Sequence, residues 1–475
     1  MRRTKIICTI GPASESEEML IKLYNAGMNM ARLNCSHGNH AEKLEKIKRI
    51  HKINKELGAH IGVMLDTKGP EIRVGEMEDG GVDFKKGDIV RVVKKPVVGN
   101  HERFHIDCKE MFDDVKAGKK ILINDGKLTL TVKDKKDDEL ICEVFNSGRI
   151  STRKGVNLPG VVLSMPFISK QDDKDIRFGA KAGVDFIAAS FVRRASDVKE
   201  IKRILAEEGR PDIEVIAKIE NKEGYDNLNA ILNVADGVMV ARGDLGVEVS
   251  LQLVPLYQKH IIDIANKKGR PVITATHMLE SMVSNPRPTR AEASDVANAV
   301  FDGTDCIMLS AETASGEYPV EAVETMAQIA EESERMYPYD TYLRKAITNS
   351  DRSMSDAIGI SVAESCLTMH NISAILAFTE TGGTPKRLSK YKPNAPIIAA
   401  TNSLETCRRM SLYSDVFPIY AKEITDEDLY DSTANSIVKK MQLAKGSMYI
   451  ICAGWHSGHG NTNTMRFASV GDDND

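Results

Sequence analysis

The sequence predicts an α/β protein built on a (β/α)8 barrel of the TIM type, with an all-β lid inserted into it and a further α/β domain after it. Three observations predict this. Between residue 1 and about 345, eight short runs rich in Val and Ile alternate with stretches of helical period, the signal of β/α units. The starts of those runs lie 23, 33, 124, 29, 23, 34 and 34 residues apart, and every interval but one suits a strand, a helix and two loops. Removing residues 71–168 reduces the outlying interval to 26 and leaves 247 residues, close to the roughly 250 that such a barrel needs.

The runs occupy residues 5–10, 28–33, 61–65, 185–191, 214–219, 237–241, 271–275 and 305–309, which predicts a barrel from residues 1–70 and 169–345. Residues 71–168 lose the helical period and carry alternating, Gly-spaced segments such as GDIVRVV, KLTLTV and ELICEV, so they read as the inserted β-barrel lid. The charged stretch KDKKDDE (133–139) within it reads as a solvated hairpin tip. After Arg344, KAITNSDRSMS reads as a linker, and residues 346–475 form the C-terminal α/β domain around the runs AILAF, PIIAAT, SDVFPIY and SMYIICA.

Composition narrows the function classes. The 475 residues are 42% hydrophobic and 28% charged, enough for several cores and a wet surface. With 64 Lys plus Arg against 68 Asp plus Glu, the net charge of −4 gives no global reason to bind nucleic acid or an anionic membrane, so any anion site must be local. No apolar stretch approaches the roughly 20 residues that cross a bilayer, and the eight dispersed cysteines form no CxxC pair, so the chain reads as cytoplasmic, in a reducing compartment.

In a (β/α)8 barrel, active groups collect where the strands end. Polar residues trail nearly every run here: TIGPAS, ARLNCSHG, LDTKGPEIR, AKIEN, VARGDLG, TATHML and LSAETASG. Glu220 and Asp244 follow adjacent strands and could converge on one hard cation such as Mg²⁺, which takes one or two protein carboxylates and keeps its other positions for water and substrate. The alternative pairs Glu220 with Lys218 and Asp244 with Arg242 as salt bridges. Lys218 lies two residues before Glu220 and so projects to the same side of its strand, and an ammonium beside a metal suits a phosphoryl group in transfer. Arg32 and Arg73 add guanidinium forks suited to phosphate oxygens. Asn34, Ser36, Asp66 and Thr67 offer oxygens to a monovalent cation, or simply cap turns, and Gly243 offers a backbone N–H to an anion.

Eight extended motifs, ICTIGPAS, AGMNMARLNCSHG, LDTKGPEIR, KGVNLPG, AKIENKEG, VARGDLGVE, NPRPTRAEASDVANAV and LSAETASGEYP, occur in one order. Through them the chain resembles the pyruvate kinase family over essentially its whole length. The resemblance implies transfer of the phosphoryl group of phosphoenolpyruvate to ADP, giving pyruvate and ATP, the last step of glycolysis, in a homotetramer that uses Mg²⁺ (or Mn²⁺) and K⁺. It implies Glu220 and Asp244 as Mg²⁺ ligands and Lys218 as the cation facing the phosphoryl group. Arg32 and Arg73 become phosphate partners, and Asn34, Ser36, Asp66 and the Thr67 carbonyl the K⁺ site, with Glu71 the acid that accompanies K⁺ dependence. Thr276, with the Gly243 and Asp244 amides, resembles the group holding the substrate carboxylate. His37 and Lys154, with Asn34 and Arg73, resemble nucleotide contacts, and Ser310 and Glu312 a cluster tied to substrate placement and proton relay.

In the C-terminal domain, Thr379, Thr381 and Thr384 of TETGGT resemble a phosphate-binding effector loop, accompanied by Trp455 and His456 in GWHSGHGNTN. Glu380 stands where responsive members often carry lysine, which argues against a bisphosphate and leaves a monophosphate or nucleotide as allosteric effector. Two competing readings are a related barrel that uses Mg²⁺ to stabilise an enolate without nucleotide, and a ligand sensor with a vestigial barrel. Steady-state turnover with Mg²⁺ should fall at least about tenfold when K⁺ is omitted, equivalent to about 1.4 kcal/mol of transition-state stabilisation. Equal rates with and without K⁺ would remove the inference from Glu71.

Overall fold

The computed structural model describes residues 1–422, 430–454 and 462–471. Its centre is a closed barrel of eight parallel strands, Lys5–Thr9, Met30–Asn34, Gly62–Asp66, Phe186–Ala189, Glu214–Ile219, Gly237–Ala241, Val272–Ala275 and Cys306–Leu309, each hydrogen-bonded to its neighbours in chain order. Every predicted run supplies one strand. Side chains alternate across each strand. Ile6, Cys8, Val63, Leu65, Val215 and Ala217 pack outward in one core with the surrounding helices. Ile7, Met64, Ile216, Met239 and Met308 belong to a second core inside the barrel. The same alternation places Arg32, Asp66 and Lys218, even-numbered like Met30, Met64 and Ile216, on the inner face.

The intervening helices start where the sequence supplies caps. NPRPTRAE becomes a capping box, Thr289 with Glu292, at the start of Arg290–Asp302, and that helix ends on Gly303 at φ 93°, a left-handed position that favours glycine. Ser169 and Asp172 do the same for Lys170–Ala182.

The insert between the third and fourth barrel strands is mainly β, a seven-stranded sheet and a two-stranded sheet around their own core of Phe84, Phe104, Val90, Ile121 and Leu140, with one short α-helix, Met111–Asp114, that the expected all-β reading did not include. The KDKKDDE stretch is the exposed hairpin between Leu128–Lys136 and Glu139–Val144, as read from its charge. Two tethers bind this segment to the barrel. Asn157 Nδ2 donates to Glu248 Oε1 at 3.0 Å, and Arg193 donates to the carbonyls of Leu163 and Met165 at 3.1 and 3.0 Å.

The stretch read as a linker is partly helical, because Tyr339–Thr348 runs into it, burying Leu343 and setting Tyr342 Oη against the Lys390 carbonyl. Beyond it lies a five-stranded sheet: Ile372–Phe378, Ile397–Thr401, Val416–Tyr420 and Met448–Ala453 are parallel, and Thr464–Ser469 is an antiparallel edge. That edge strand was missed in the sequence because TMRFAS is half-exposed and carries no apolar run. All eight cysteines are free, seven of them buried. Among the described residues, no helix is long and apolar enough to cross a membrane.

The C-terminal domain seats against the end of the barrel where the strands begin. Lys5 Nζ donates to the Val416 carbonyl at 2.6 Å, Ser414 Oγ to Asp305 at 2.6 Å, and Arg408 pairs with Asp185 at 3.0 Å. Lys386 pairs with Glu214 at the start of the fifth strand, and Tyr413 Oη donates to the same carboxylate at 3.3 Å. The approach is close: a Cβ on Gly62 would meet the Arg408 carbonyl at 3.1 Å. The inner barrel core continues into Val362, Met410, Leu412 and Val416, so the two share one apolar interior.

Burial raises the Asp185 carboxyl to about 6, with Arg408 opposing that rise. Since this lies above the unfolded value of about 3.9, ionised Asp185 is penalised in the fold, and its contribution to stability declines as pH rises from about 4 to 6. Arg408→Ala should therefore cost about 3 kcal/mol at pH 8, where a charge is stranded, and clearly less at pH 5, where Asp185 can take up a proton. Urea unfolding at the two pH values measures the difference, and equal losses would show that Arg408 acts by packing alone.

Candidate active site

At the opposite, C-terminal end of the strands, the fifth strand delivers Lys218 and then Glu220 to the mouth. Lys218 Nζ lies 2.9 Å from Glu220 Oε1, 3.1 Å from Asp66 Oδ1 and 2.7 Å from Ser190 Oγ. Burial works to strip its proton, but Asp66 and Glu220 outweigh burial and push the ammonium up to about 12. Asp66 also accepts from Arg32 Nε at 2.6 Å, and Arg32 Nη1 reaches Thr9 Oγ1 at 2.9 Å. Against its burial, these two cations hold the Asp66 carboxyl below its ordinary value. The result is a buried chain of alternating charge, Arg32, Asp66, Lys218, Glu220, drawn from three strands.

Glu220 is the unrelieved end of that chain. Burial pushes its carboxyl up to about 7 against the pull of Lys218, with the nearby Asp244 adding to the rise. Burial raises Asp244 too. Its expected alternative partner, Arg242, instead pairs with Asp295 at 2.7 Å. Lys218 and Glu220 do form the predicted ion pair, yet it leaves Glu220 pushed upward. A buried carboxylate and a half-buried one, each raised by burial and by the carboxylates around it, are a donor set that a divalent cation would satisfy. Among the described residues, no third His, Cys, Asp or Glu joins them in one cluster, so a metal held there would take its other positions from water and substrate oxygens.

The oxygens expected around K⁺ are adjacent by register, Asn34 standing opposite Asp66 on neighbouring strands. Asn34 Oδ1 accepts the Ser36 N–H at 2.9 Å, and the Thr67 carbonyl accepts Ser190 Oγ at 2.7 Å. These acceptors are all hard oxygens, each with a lone pair to spare, and the set fits a monovalent cation of few charged ligands. Ser36 and His37 lie on the exposed rim of this loop. Glu71 binds Arg73 at 2.6 Å and Lys68 at 3.3 Å.

A cavity of about 680 Å³ opens between the β insert and the barrel mouth, lined by Glu71, Arg73, Asp125, Lys154, Asp244 and Glu248 among others. Arg73 lines it at the start of the insert, donating to the Arg153 carbonyl at 2.9 Å, and Lys154 comes from the insert's far end. Thr276, just past the seventh strand, has φ 67° and His277 has φ 52°. Left-handed backbone is strained at these non-glycine residues, of order 1–3 kcal/mol each. Thr276 Oγ1 accepts the Gly243 N–H at 2.9 Å, joining the corners after strands six and seven. Ser310 donates its N–H to Glu312 Oε2 at 2.7 Å, and Glu312 Oε1 accepts the Leu279 N–H at 3.2 Å. The Glu312 carboxylate thus braces the loops after strands seven and eight.

Thr379, Thr381 and Thr384 lie in the C-terminal domain, away from this mouth. Thr379 Oγ1 accepts the Gly382 N–H at 2.9 Å, Thr384 Oγ1 bonds Thr462 Oγ1 at 2.8 Å, and Thr381 is exposed. Trp455 and His456 fall outside the described residues.

Two family models cover the chain, one for the pyruvate kinase barrel domain over residues 1–323 and one for the pyruvate kinase alpha/beta domain over residues 356–468. The chain belongs to the pyruvate kinase family. It is 49% identical to a pyruvate kinase of Staphylococcus saprophyticus and 50% identical to one of Staphylococcus aureus, in each case over all of this chain and 81% of the relative. A crystal structure of a pyruvate kinase from Cryptosporidium parvum superposes with a TM-score of 0.94 at 37% identity, covering 99% of this chain and 96% of the other. The activity is accordingly phosphoryl transfer from phosphoenolpyruvate to ADP, and the family uses a divalent metal and K⁺.

The sequence reading found the fourth strand but named no polar residue at its end, yet Ser190 directly after it is the hub of the site. Its hydroxyl receives Lys218, donates to the Thr67 carbonyl and lies 3.2 Å from Asp66, while the next residue gives its N–H to Glu220 at 2.5 Å. The signal was a lone serine ending AAAS-like apolar text (IAAS), which by itself looks like a turn. Ser190→Ala should lower kcat about tenfold or more, since hydrogen bonds to charged groups contribute about 1.5–3 kcal/mol. It should also weaken K⁺ activation. Steady-state kinetics over a K⁺ series would show both effects, and unchanged K⁺ activation would separate Ser190 from the cation oxygens.

Proposed function

We propose that the cluster around Lys218 is the phosphoryl-transfer centre, with Glu220 and Asp244 holding Mg²⁺ (or Mn²⁺) and Asn34, Ser36, Asp66 and the Thr67 carbonyl holding K⁺. The observation that carries this reading is the buried Lys218 ammonium, kept charged by Asp66 and Glu220 beside a carboxylate that favours a proton. When bound, the cations would supply fixed positive charge for the phosphoryl oxygens and for the oxygen left on the enolate.

The chain's own residues do the rest. Lys218 presents its N–H groups to the migrating phosphoryl oxygens, whose charge spreads without covalent help from the protein. Arg32 and Arg73 orient phosphate oxygens from either side, Arg73 swinging from Glu71 as nucleotide enters. His37 and Lys154 contact the ADP side, Lys154 arriving with the lid. Thr276 Oγ1 and the Gly243 and Asp244 amides hold the substrate carboxylate, and Thr276 lies at the face of the enolate that receives a proton. Ser310 and Glu312 keep that corner in place. Closing of the β insert over the cavity excludes water that would otherwise hydrolyse the phosphate.

In this reading the chain divides into a catalytic barrel (1–70 and 169–345), a lid (71–168) and a regulatory domain (346–475), and it works in the cytoplasm as a homotetramer. The threonine loop of the regulatory domain receives a phosphorylated effector.

Lys218→Met keeps the bulk and removes the charge. It should lower kcat by about 10³ or more, about 4 kcal/mol, while Mn²⁺ affinity changes far less. Stopped-flow transfer rates and Mn²⁺ titration measure the two separately, and near-normal turnover would overturn the assignment.

A further inference from the structure

The corner that presents Thr276 is strained. Thr276 and His277 are consecutive non-glycine residues in left-handed backbone, at φ 67° and 52°, immediately after the seventh strand. One side chain is folded against that corner. Arg242, immediately after the sixth strand, donates from Nε to the carbonyls of Ala275 and Thr276 at 3.2 Å each, and from Nη2 to the Thr276 carbonyl at 2.6 Å. Its other arm reaches away from the mouth, to Asp295 at 2.7 Å and to Gln258 Oε1 at 3.2 Å. Arg242 is largely buried, and Gln258 is itself held on Asp302 at 3.2 Å.

We infer that Arg242, anchored by Asp295 and Gln258, is a positioning residue that holds Thr276 in its left-handed turn and so fixes where its hydroxyl stands at the mouth. The physical case is geometric. A strained turn persists only when its surroundings over-determine it, and here a planar, five-donor group grips both carbonyls of the turn from behind. A lysine could carry the charge but could not fork to two carbonyls and a carboxylate at once. Strands six and seven pair Ala241 with Ala275, so the residues that follow each start level with one another, and the strut spans that gap. Arg242 therefore acts through Thr276 rather than on substrate.

This rests on the reading of Thr276 as the group at the substrate carboxylate and enolate, and the test separates the two. Three variants, Arg242→Lys, Asp295→Asn and Thr276→Val, are compared by kcat, by the KM for ADP, by thermal unfolding and by deuterium entry into the pyruvate methyl group, followed by proton NMR in D₂O with Mg²⁺, K⁺ and ATP present. Arg242→Lys should lower kcat and methyl exchange together, by about 100-fold, as displacements near 1 Å do, and Asp295→Asn by about tenfold. The KM for ADP should stay within about twofold, because the nucleotide side is untouched. The double variant Arg242→Lys/Thr276→Val should be no slower than the worse single one, as expected for two groups acting as one unit. If Thr276→Val is impaired while Arg242→Lys and Asp295→Asn exchange normally, the strut is wrong and the Thr276 reading stands. If Thr276→Val itself exchanges normally, the Thr276 reading falls. Should Arg242→Lys not fold, Asp295→Asn decides alone, and normal exchange in it overturns the inference.

Discussion

A buried ammonium between two buried carboxylates governs this molecule. Lys218 could not keep its proton in the barrel interior alone, and neither Asp66 nor Glu220 would ionise there unaided. Each charge is tolerable only because the others sit within about 3 Å. Such a set must be assembled from rigid elements, which explains why Arg32, Asp66 and Lys218 all come from strands and Ser190 from the end of a fourth. The barrel brings them into register through alternation and pairing alone. Asn34 meets Asp66 because their strands are neighbours, and Lys218 faces inward because Ala217 and Ile219 face out.

The charge chain is also incomplete. Arg32 and Lys218 satisfy Asp66, but Glu220 and Asp244 together face too few cations. That imbalance at one end is what turns a structural ion-pair network into a receptive one. The large cavity meets the network at Asp244, and the β insert approaches from the other side with Lys154. A bound cation would bring the missing positive charge, and the anionic phosphates of substrate and nucleotide would then meet it beside Lys218.

Much of this was legible in the sequence, for a physical reason. Runs buried on both faces must be continuously apolar, so eight barrel strands announced themselves, and polar residues trailing them could only be at the strand ends. Even the insert was legible as an interval too long for one helix. What did not show was the set of contacts made by single residues of ordinary appearance. Ser190 ends an apolar run like any turn serine. Arg242 and Asp295 lie 53 residues apart, and nothing local indicates that one turns its back on Asp244 to hold the other. The edge strand Thr464–Ser469 was silent because an exposed strand needs no apolar pattern, only a neighbour to pair with.

The shared interior of barrel and C-terminal domain carries an evolutionary consequence. Because Met410, Leu412 and Val416 complete the packing beneath Ile7, Met64 and Ile216, the barrel here is a vessel whose stopper is made by another part of the chain. Lineages could exchange loops at the open rim freely, but shedding the stopper would uncork an oily hollow. Inheritance is thereby constrained to pass both parts on together.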